Sequence, residues 1–421
     1  MTPSDAPAQS QMMRNIALYP WFKLFQNLLF WQAVWFLFFQ DKLSASQAIL
    51  LYVIYDLATT SLEVPSGYLS DRIGRRFTLL LSAFAAVGAS LLLLFGATFE
   101  AFVLAQVLWG TSAAFASGAD SSILFESLAA VDRADKVEAQ ELRAWRFTFT
   151  GLALSAATGG AMSLVTFELA FAATAVAMVA WAVCAFLMTE PPRSAGNVES
   201  DVRRIIHLKE AFRHPVLIWL FVFSALMYGF SHIPFVFGQP FILEALNTAG
   251  WSGEAPLVSG IVSTLMMLLS VAASWLVPGL RRRIGLTAIL LLAMAIQVGL
   301  VGVLAVTNSV LAIAFLFFRM VPSSIHGPLL IARVQPILND DSRATFLSIK
   351  SLVGRLLFAA SLWVASMATT DIGLMSYPEI RTVLGCYFAI GFAAFCGLLI
   401  AARRVSIESD GSAMVADVKE G

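Results

Sequence analysis

The feature that most constrains this chain is a succession of long apolar segments separated by short polar stretches. A helix that crosses the ~30 Å hydrocarbon core of a bilayer needs about 20 mainly apolar residues. Twelve segments reach this length: 17–40, 46–66, 77–98, 101–129, 142–165, 167–188, 215–243, 256–278, 286–306, 309–335, 344–369 and 379–402. Of all residues, 59% are hydrophobic and 13% are charged, about half the charged fraction of a soluble protein. The pattern predicts an all-α polytopic membrane protein with twelve transmembrane helices.

Lysine and arginine residues concentrate in alternate polar stretches, all on one predicted side of the membrane. The stretches on the opposite side carry only Lys42 and Arg381, beside several acidic residues. Because basic loops stay in the cytoplasm, this asymmetry predicts that both termini are cytoplasmic. The N-terminus has no short apolar core followed by a small-residue cleavage site, so we expect the first membrane helix to be the targeting signal. We expect the protein in the cell membrane (cytoplasmic or inner).

The longest polar interval, 189–214, divides the segments into six and six. From Asp201 onwards, the apolar residues of this interval would lie on one side of a helix, with charged residues interspersed along the chain. This pattern indicates an amphipathic helix at the membrane surface. The predicted domains are a disordered tail over 1–13, a six-helix bundle over 14–190, a cytoplasmic linker over 191–213, a second six-helix bundle over 214–403 and a disordered tail over 404–421.

One charged stretch joins the second and third segments. It reads Gly-Tyr-Leu-Ser-Asp-Arg-Ile-Gly-Arg-Arg over 67–76. Its charges must lie outside the hydrocarbon, because a buried Arg or Asp costs several kcal/mol in lipid. Its glycines permit a sharp turn and close helix approach, so we expect a tight loop here. A basic loop that only fixes topology would also fit this local chemistry.

The order of residue types in 67–76 resembles the signature loop between helices two and three of the major facilitator superfamily (MFS). The resemblance implies the MFS fold, with two six-helix halves, and transport by alternating access. In that family the loop closes the cytoplasmic side and an acidic residue at the end of helix four engages its arginines. The implied gate residues are Gly67, Asp71, Arg72, Gly74, Arg75, Arg76 and Glu126. The resemblance also places Asp71 near Thr345 and Ser348, at the start of the eleventh helix.

A weak internal repeat agrees with two related halves. The sequence Arg-Ile-Gly at 283–285, after the eighth segment, repeats Arg-Ile-Gly at 72–74, after the second. Arg282 stands where the signature loop has its Asp. We therefore expect that the second loop does not make the same contacts.

Charged residues inside membrane segments are rare and are functional candidates by default. The candidates for proton binding or ion pairing are Asp56, Glu63, Asp120, Arg319 and Arg355. The helix arrangement that the resemblance implies pairs Asp56 with Arg355 and Asp120 with Arg319. Such pairs either break and form between access states or simply neutralise one another.

A carboxyl group that is removed from water holds a proton more readily and can carry it across the membrane. Asp120 is the first choice for this proton-carrying group, ahead of Asp56. Many proton-driven exporters of the superfamily carry Arg-x-x-x-Gly in helix four, where this chain has Gln106. They also carry Gly-x-x-x-Gly-Pro-x-x-Gly-Gly in helix five. At 151–160 the flanking glycines are kept and the central Gly-Pro is Ser-Ala. Both differences weaken the prediction of an antiporter.

A substrate cavity is expected between the first, fourth, seventh and tenth helices of the implied fold. The candidate binding residues there are Asn27, Trp31, Trp35, Tyr228, His232, Gln239, Ser323 and His326. Aromatic residues with few charges suit a bulky amphipathic or cationic organic solute. For any single one of these residues, ordinary helix packing is the simpler explanation.

No phosphate-binding glycine loop, metal-ligand cluster or nucleophile–base pair is visible, so we expect no enzyme, no metal, no cofactor and no nucleic-acid partner. The leading prediction is a secondary transporter that exports small organic molecules in exchange for protons. One alternative is an uptake carrier for a specific metabolite, as a symporter or facilitator. Another is a receptor that kept the fold and lost transport. The expected partners are a small-molecule substrate, protons and the lipid bilayer, and the expected functional unit is a monomer.

Overall fold

The computed structural model of the chain describes residues 5–192, 212–334, 337, 340–369 and 375–408. The described residues contain fourteen α-helices and no β-strand. The helices are α1 (Asp5–Gln26), α2 (Trp35–Lys42), α3 (Ala45–Ile73), α4 (Arg75–Phe95), α5 (Phe99–Ala116), α6 (Ala119–Ala129), α7 (Val137–Met162), α8 (Phe167–Leu187), α9 (Pro215–Thr248), α10 (Ala255–Ile284), α11 (Leu286–Val306), α12 (Val321–Val334), α13 (Asp340–Met367) and α14 (Tyr377–Ala402). Short 3₁₀ helices lie at Phe30–Ala33, Ala134–Lys136, Ser252–Glu254 and Val310–Phe318.

Membrane-spanning helices dominate the described part of the chain. Nine are long and apolar enough to cross a bilayer, and a tenth span results if the bent pair Gln9–Ala33 and Trp35–Lys42 is taken together. The prediction of an all-helical, multi-pass membrane protein is confirmed. The count of twelve spans and the cytoplasmic position of both termini stay predictions.

Two compact units make up the chain. The first comprises 1–197, 242–264 and 359–376, and the second comprises 198–241, 265–358 and 377–421. In the first unit α4 packs against α5 and α8, and α1 packs against α7 and α8. In the second unit α11 packs against α14 and α12. The predicted division into two six-helix bundles joined by a linker stays a prediction.

Large apolar side chains lie on the outside of the helices as well as inside. Phe95, Val176 and Leu311 are each more than 70% exposed, whereas Phe22 and Phe223 are fully buried. A helix that is apolar on all sides is expected where lipid rather than water surrounds it. This distribution explains why the helices carry little amphipathic pattern.

The predicted tails differ from the structure at both ends. Residues 5–13 were expected to be disordered, yet α1 begins at Asp5, because this Ala-, Gln- and Met-rich stretch continues the helix that follows it. Disorder was also expected from residue 404, but Ile407 is buried and Glu408 is hydrogen-bonded. The linker residues 193–211, with most of the predicted amphipathic helix, lie outside the described residues.

Three predicted spans are interrupted rather than continuous. The first breaks after Gln26, passes through Phe30–Ala33 and continues as α2. The fourth breaks at Gly118, whose φ of +78° is the left-handed conformation that glycine adopts easily. The tenth begins as the 3₁₀ helix Val310–Phe318 and continues as α12. Interrupted membrane helices commonly lie at transporter binding sites.

Candidate functional site

The charged stretch 67–76 is almost entirely helical, so the predicted loop over these residues was wrong. α3 continues to Ile73 and α4 begins at Arg75, with only Gly74 between them. Polar residues that follow an apolar span can extend its helix into water, which a count of apolar residues does not detect. Gly74 alone makes the turn, with φ of +107°. Gly67 is helical and exposed, and no described atom lies within 4 Å of a Cβ placed there.

The carboxylate of Glu190 caps the start of α4. It accepts hydrogen bonds from the backbone N–H groups of Arg75 and Arg76, each at 2.8 Å. The first N–H groups of a helix have no partner within the helix and favour an anion. A Cβ at Gly74 would lie 2.6 Å from Glu190 Oε1, so glycine is required there for space as well as for its backbone angles.

The side chain of Arg75 makes the contact that was predicted for the signature stretch. Its Nε donates to Glu126 Oε1 at 3.1 Å and its guanidinium also donates to Ser70 Oγ at 3.0 Å. The prediction that Glu126 reaches Arg75 or Arg76 is confirmed. The role of this contact as a gate stays a prediction.

The other charged residues of the stretch have separate surroundings. Arg76 donates to the carbonyl oxygen of Phe186 at 2.8 Å. Arg72 is exposed and its guanidinium lies 4.7 Å from the ring centre of Tyr68. The side chains of Asp71, Thr345 and Ser348 lie outside the described residues.

Asn15 contacts the chain neighbours of Glu190 and Glu126, the two acidic residues of this site. Sequence reasoning missed Asn15 because it precedes the first apolar segment. Its Nδ2 donates to the carbonyl oxygen of Thr189 at 2.7 Å and to Ser127 Oγ at 3.0 Å. Its Oδ1 accepts from the Thr189 N–H at 2.9 Å. Thr189 precedes Glu190 and Ser127 follows Glu126. One buried amide therefore binds the backbone of Thr189, beside Glu190, and the side chain of Ser127, beside Glu126.

A similar cap occurs in the second unit. Gly285 has φ of +83° and separates α10 from α11. Glu408 Oε1 accepts from the backbone N–H of Leu286 at 2.9 Å, and Arg333 holds the neighbouring carbonyl of Ile407 at 2.7 Å. Arg282 stands where the signature stretch has Asp71. The start of α11 is nevertheless capped by a carboxylate, that of Glu408, as the start of α4 is capped by that of Glu190.

Asp120 forms an ion pair that was not predicted from the sequence. It lies in the first turn of α6, and its Oδ2 is 2.8 Å from Lys23 Nζ. Its Oδ1 accepts from the Ser121 N–H at 2.7 Å, and Lys23 also donates to Gln26 at 2.8 Å. Lys23 lies inside the predicted span 17–40, so the rule for charges within membrane segments would have identified it. Pairing of Asp120 with Arg319 stays a prediction.

The remaining charged candidates are divided between the units. In α3, Asp56 is buried and Glu63 is half-buried. In the second unit, Arg319 Nε lies 3.0 Å from Met266 Sδ, and the Arg355 guanidinium lies 5.6 Å from the ring centre of Tyr228. Pairing of Asp56 with Arg355 stays a prediction.

Three predicted binding residues of the first unit lie at the break in its first span. Asn27 Nδ2 donates to the carbonyl oxygen of Lys23 at 2.8 Å. The Trp31 ring packs edge-on against Trp109, with the ring centres 5.6 Å apart. Trp35 is buried. The structure thus brings this part of the predicted cavity lining to one break.

Glycines of α7 allow the broken span to lie directly against that helix. A Cβ at Gly159 would collide with the carbonyl oxygen of Phe30, and one at Gly151 would lie 2.9 Å from the carbonyl oxygen of Leu24. These are the flanking glycines of the stretch at 151–160. Their packing role accounts for glycine at both positions without reference to export.

The predicted binding residues of the second unit lie on α9 and α12. The rings of Tyr228 and His232 are 4.3 Å apart, and His232 Nδ1 is 2.7 Å from the Tyr228 carbonyl oxygen. His326 Nδ1 is likewise 2.7 Å from the Pro322 carbonyl oxygen. Gln239 is buried and Ser323 is half-buried. Among the described residues, no group of three or more His, Cys, Asp or Glu could hold a metal ion.

Comparison with solved structures identifies the fold. A single-residue mutant of the nucleoside transporter NupG superimposes with a TM-score of 0.74 at 13% identity, covering 91% of this chain and 99% of that one. An auto-inhibited POT family peptide transporter gives 0.69 at 14% identity, covering 96% and 98%. A D-xylose–proton symporter gives 0.66 at 16% identity, covering 90% and 97%. No curated protein matches the sequence significantly.

The sequence itself matches the profile of a transporter family. The Major Facilitator Superfamily profile aligns with residues 21–362, which is most of the chain. This match agrees with the signature stretch and with the solved transporters of the same fold. The chain is therefore a transporter and not an enzyme, and it belongs to the Major Facilitator Superfamily.

Proposed function

We propose that this transporter exports small organic molecules by alternating access, in exchange for protons that enter the cell. We also propose that it works as a monomer in the cytoplasmic membrane. The observation that carries the proposal is the ion pair of Lys23 and Asp120 in the first unit. Charges held within apolar helices are costly and are kept for ion or proton pathways.

The position of this pair supports the same proposal. Asp120 follows the break at Gly118, and Lys23 precedes the break that begins after Gln26. Breaks in membrane helices expose backbone groups that bind solutes and ions. The aromatic residues Trp31 and Trp35, at the break that follows Gln26, suit a bulky, apolar solute that carries a positive charge.

Uptake of a specific metabolite is the second candidate. The departures from exporter patterns at Gln106 and within 151–160 favour it. The solved relatives are named as a nucleoside transporter, a peptide transporter and a sugar–proton symporter. Because their identity to this chain is low, these structures are evidence for the fold alone and do not favour uptake over export. Export therefore stays our first proposal.

Everted membrane vesicles with an acidic interior test the proposal. We expect wild-type vesicles to take up a fluorescent lipophilic cation while the proton gradient dissipates. Asp120→Asn should abolish this uptake, because it removes the carboxylate that pairs with Lys23. Glu100→Gln is the matched control, since Glu100 is exposed in the first turn of α5 and should transport as wild type does.

The outcomes separate the candidates. Lack of uptake by wild type would contradict broad-specificity export and favour a narrow metabolite carrier, for which thermal-shift screening of metabolites would identify the ligand. Uptake that is unchanged in Asp120→Asn would leave export standing and remove Asp120 from the coupling mechanism.

A further inference from the structure

One surface near the end of α10 takes no part in the contacts described so far. Gly279 lies within the helix, and no described atom comes within 4 Å of a Cβ placed there. Residues three and four positions apart are neighbours on a helix, so Trp275 and Leu276 border Gly279 on one side and Arg282 and Arg283 on the other. All four side chains are exposed, Trp275 by 78% and Leu276 by 71%. Gly279 and these four residues are here called the arginine notch.

The two ends of the arginine notch suit different parts of a membrane. Exposed leucine belongs in lipid, and tryptophan is typical of the boundary between acyl chains and headgroups. Arginine must lie outside the hydrocarbon, where its guanidinium binds phosphate groups through two parallel hydrogen bonds. Because Gly279 has no side chain, a molecule outside the protein can approach the helix backbone between the two ends.

No acidic residue in the same part of the chain offsets the arginines. The sequence from 255 to 339 contains neither Asp nor Glu. Within the described residues, no carboxylate pairs with Arg282 or Arg283. Arg282 Nε donates to the carbonyl oxygen of Pro278, in its own helix, at 3.3 Å. Glu408, at the adjoining junction, caps the start of α11 instead. The notch therefore presents two positive charges to its surroundings.

The first unit uses the arginines of its signature stretch differently. There Arg75 binds Glu126 and Arg76 binds a backbone carbonyl of α8, so both hold groups of the protein itself. The internal repeat places Arg282 where the first unit has Asp71. A guanidinium in place of a carboxylate changes the ligand that this position favours from a cation to an anion.

We propose that the arginine notch binds an anionic phospholipid. In this arrangement the lipid phosphate lies against Arg282 and Arg283, the glycerol lies over Gly279, and an acyl chain runs along Trp275 and Leu276. The charges select an anion, and the exposed apolar side chains beside them select an anion that is joined to acyl chains.

Native mass spectrometry of the purified full-length protein tests the proposal. The protein in detergent is mixed with phosphatidylglycerol or with phosphatidylcholine of the same acyl chains, and the bound lipid is counted. We expect the wild type to retain phosphatidylglycerol in preference. Each arginine near a membrane surface changes the affinity for anionic lipid about fivefold, so Arg282→Gln combined with Arg283→Gln should weaken retention about 25-fold. Equal retention of the two lipids by the wild type would overturn the proposal.

Arg281→Gln is the matched control. Arg281 is exposed in the same helical turn, but a separation of two residues places it on the other side of the helix from Gly279. This variant should keep the wild-type preference for phosphatidylglycerol. Equal losses in Arg281→Gln and Arg282→Gln would show that any positive charge at this end of α10 attracts the lipid, which contradicts a site at the notch.

Gly279→Leu separates the shape of the notch from its charge. This variant keeps both arginines, and its Cβ meets no described atom, so it remains informative if the double arginine variant does not fold. It should weaken retention of phosphatidylglycerol, because the new side chain occupies the surface between Trp275 and Arg282. Unchanged retention would show that the glycine has no part in lipid binding and would overturn the notch as the site.

Two other occupants of this surface give different results. Glycerol phosphate, which has no acyl chains, should not displace bound phosphatidylglycerol, and displacement would assign the surface to a free anion. A dimer mass that disappears in Arg282→Gln would assign it to a second copy of the chain. Either result would overturn the lipid proposal. None of these measurements depends on the direction of transport or on proton coupling.

Discussion

At the scale of single residues, carboxylates hold the junctions between helices of each unit. Glu190 binds two backbone N–H groups at the start of α4, and Glu408 binds one at the start of α11. Each approaches a glycine with positive φ, Gly74 or Gly285, which leaves space for the carboxylate. The charge is stabilised because it lies at the positive end of a helix dipole.

Removing these caps should destabilise the protein in proportion to the bonds that are lost. We expect Glu190→Ala to lower the free energy of unfolding by about 1–2 kcal/mol, within the range for lost helix caps. Glu408→Ala should have a smaller effect, since one N–H loses its partner instead of two. Thermal unfolding midpoints in detergent measure both.

Glu100→Ala is the control, because Glu100 is exposed in the first turn of α5, where Thr98 provides the side-chain cap. Equal midpoints for Glu190→Ala and Glu100→Ala would show that the Glu190 cap adds no stability.

Only some of these residues could be predicted from the sequence. The contact of Glu126 with Arg75 followed from the resemblance of 67–76 to a known loop. Asn15 and Glu190 carry no local signal, because their partners lie more than 100 residues away in the chain. Lys23 had a signal, namely a charge within an apolar span.

At the scale of helices, the break in the first span depends on its neighbour. Residues 27–34 contain neither proline nor glycine, so the sequence gives no local reason for a break. The cause is visible in α7, where Gly151 and Gly159 leave room for the backbone of the broken span. The break after α5, in contrast, could be predicted from Gly118.

A larger side chain at position 159 should push α7 away from the 3₁₀ helix Phe30–Ala33. We expect Gly159→Ala to cost about 1–3 kcal/mol of stability, as overpacking of a close contact does, and to reduce transport in vesicles. The thermal unfolding midpoint measures the first effect, and uptake of the fluorescent cation measures the second.

Gly299→Ala is the matched control. Gly299 is helical within α11, and no described atom lies within 4 Å of a Cβ placed there. The added methyl group should raise stability by about 0.5–1 kcal/mol, because glycine weakens a helix interior. If Gly159→Ala behaves like Gly299→Ala, the contact with Phe30 does not require glycine.

At the scale of the whole molecule, alternating access requires contacts that differ between states. The predicted pair of Asp56 and Arg355 is a candidate for such a contact. The signature stretch and the family profile support the transport cycle in general, but a charged pair can also be permanent. Exchange of the two charges tests whether the residues act together.

We expect Asp56→Arg and Arg355→Asp each to reduce uptake in vesicles to a low but measurable rate, and the double variant to recover part of it. A double-mutant cycle on the uptake rates should give a coupling free energy of about 0.5–3 kcal/mol, the range for interacting residues. A double variant no better than either single variant would contradict the pair. The exchange Lys23→Asp with Asp120→Lys is the positive control, since that pair is formed in the structure.

The cap formed by Glu408 sets a limit on how this protein can be labelled. The described chain does not end with α14 at Ala402, because Ile407 is buried and Glu408 binds the start of α11. If a fluorescent protein or an affinity tag replaced the chain after Val405, Ile407 and Glu408 would be deleted. The Leu286 N–H would then have no carboxylate partner. A tag joined after Glu408 would retain it. The end of α14 at Ala402 is therefore not a safe point for truncation.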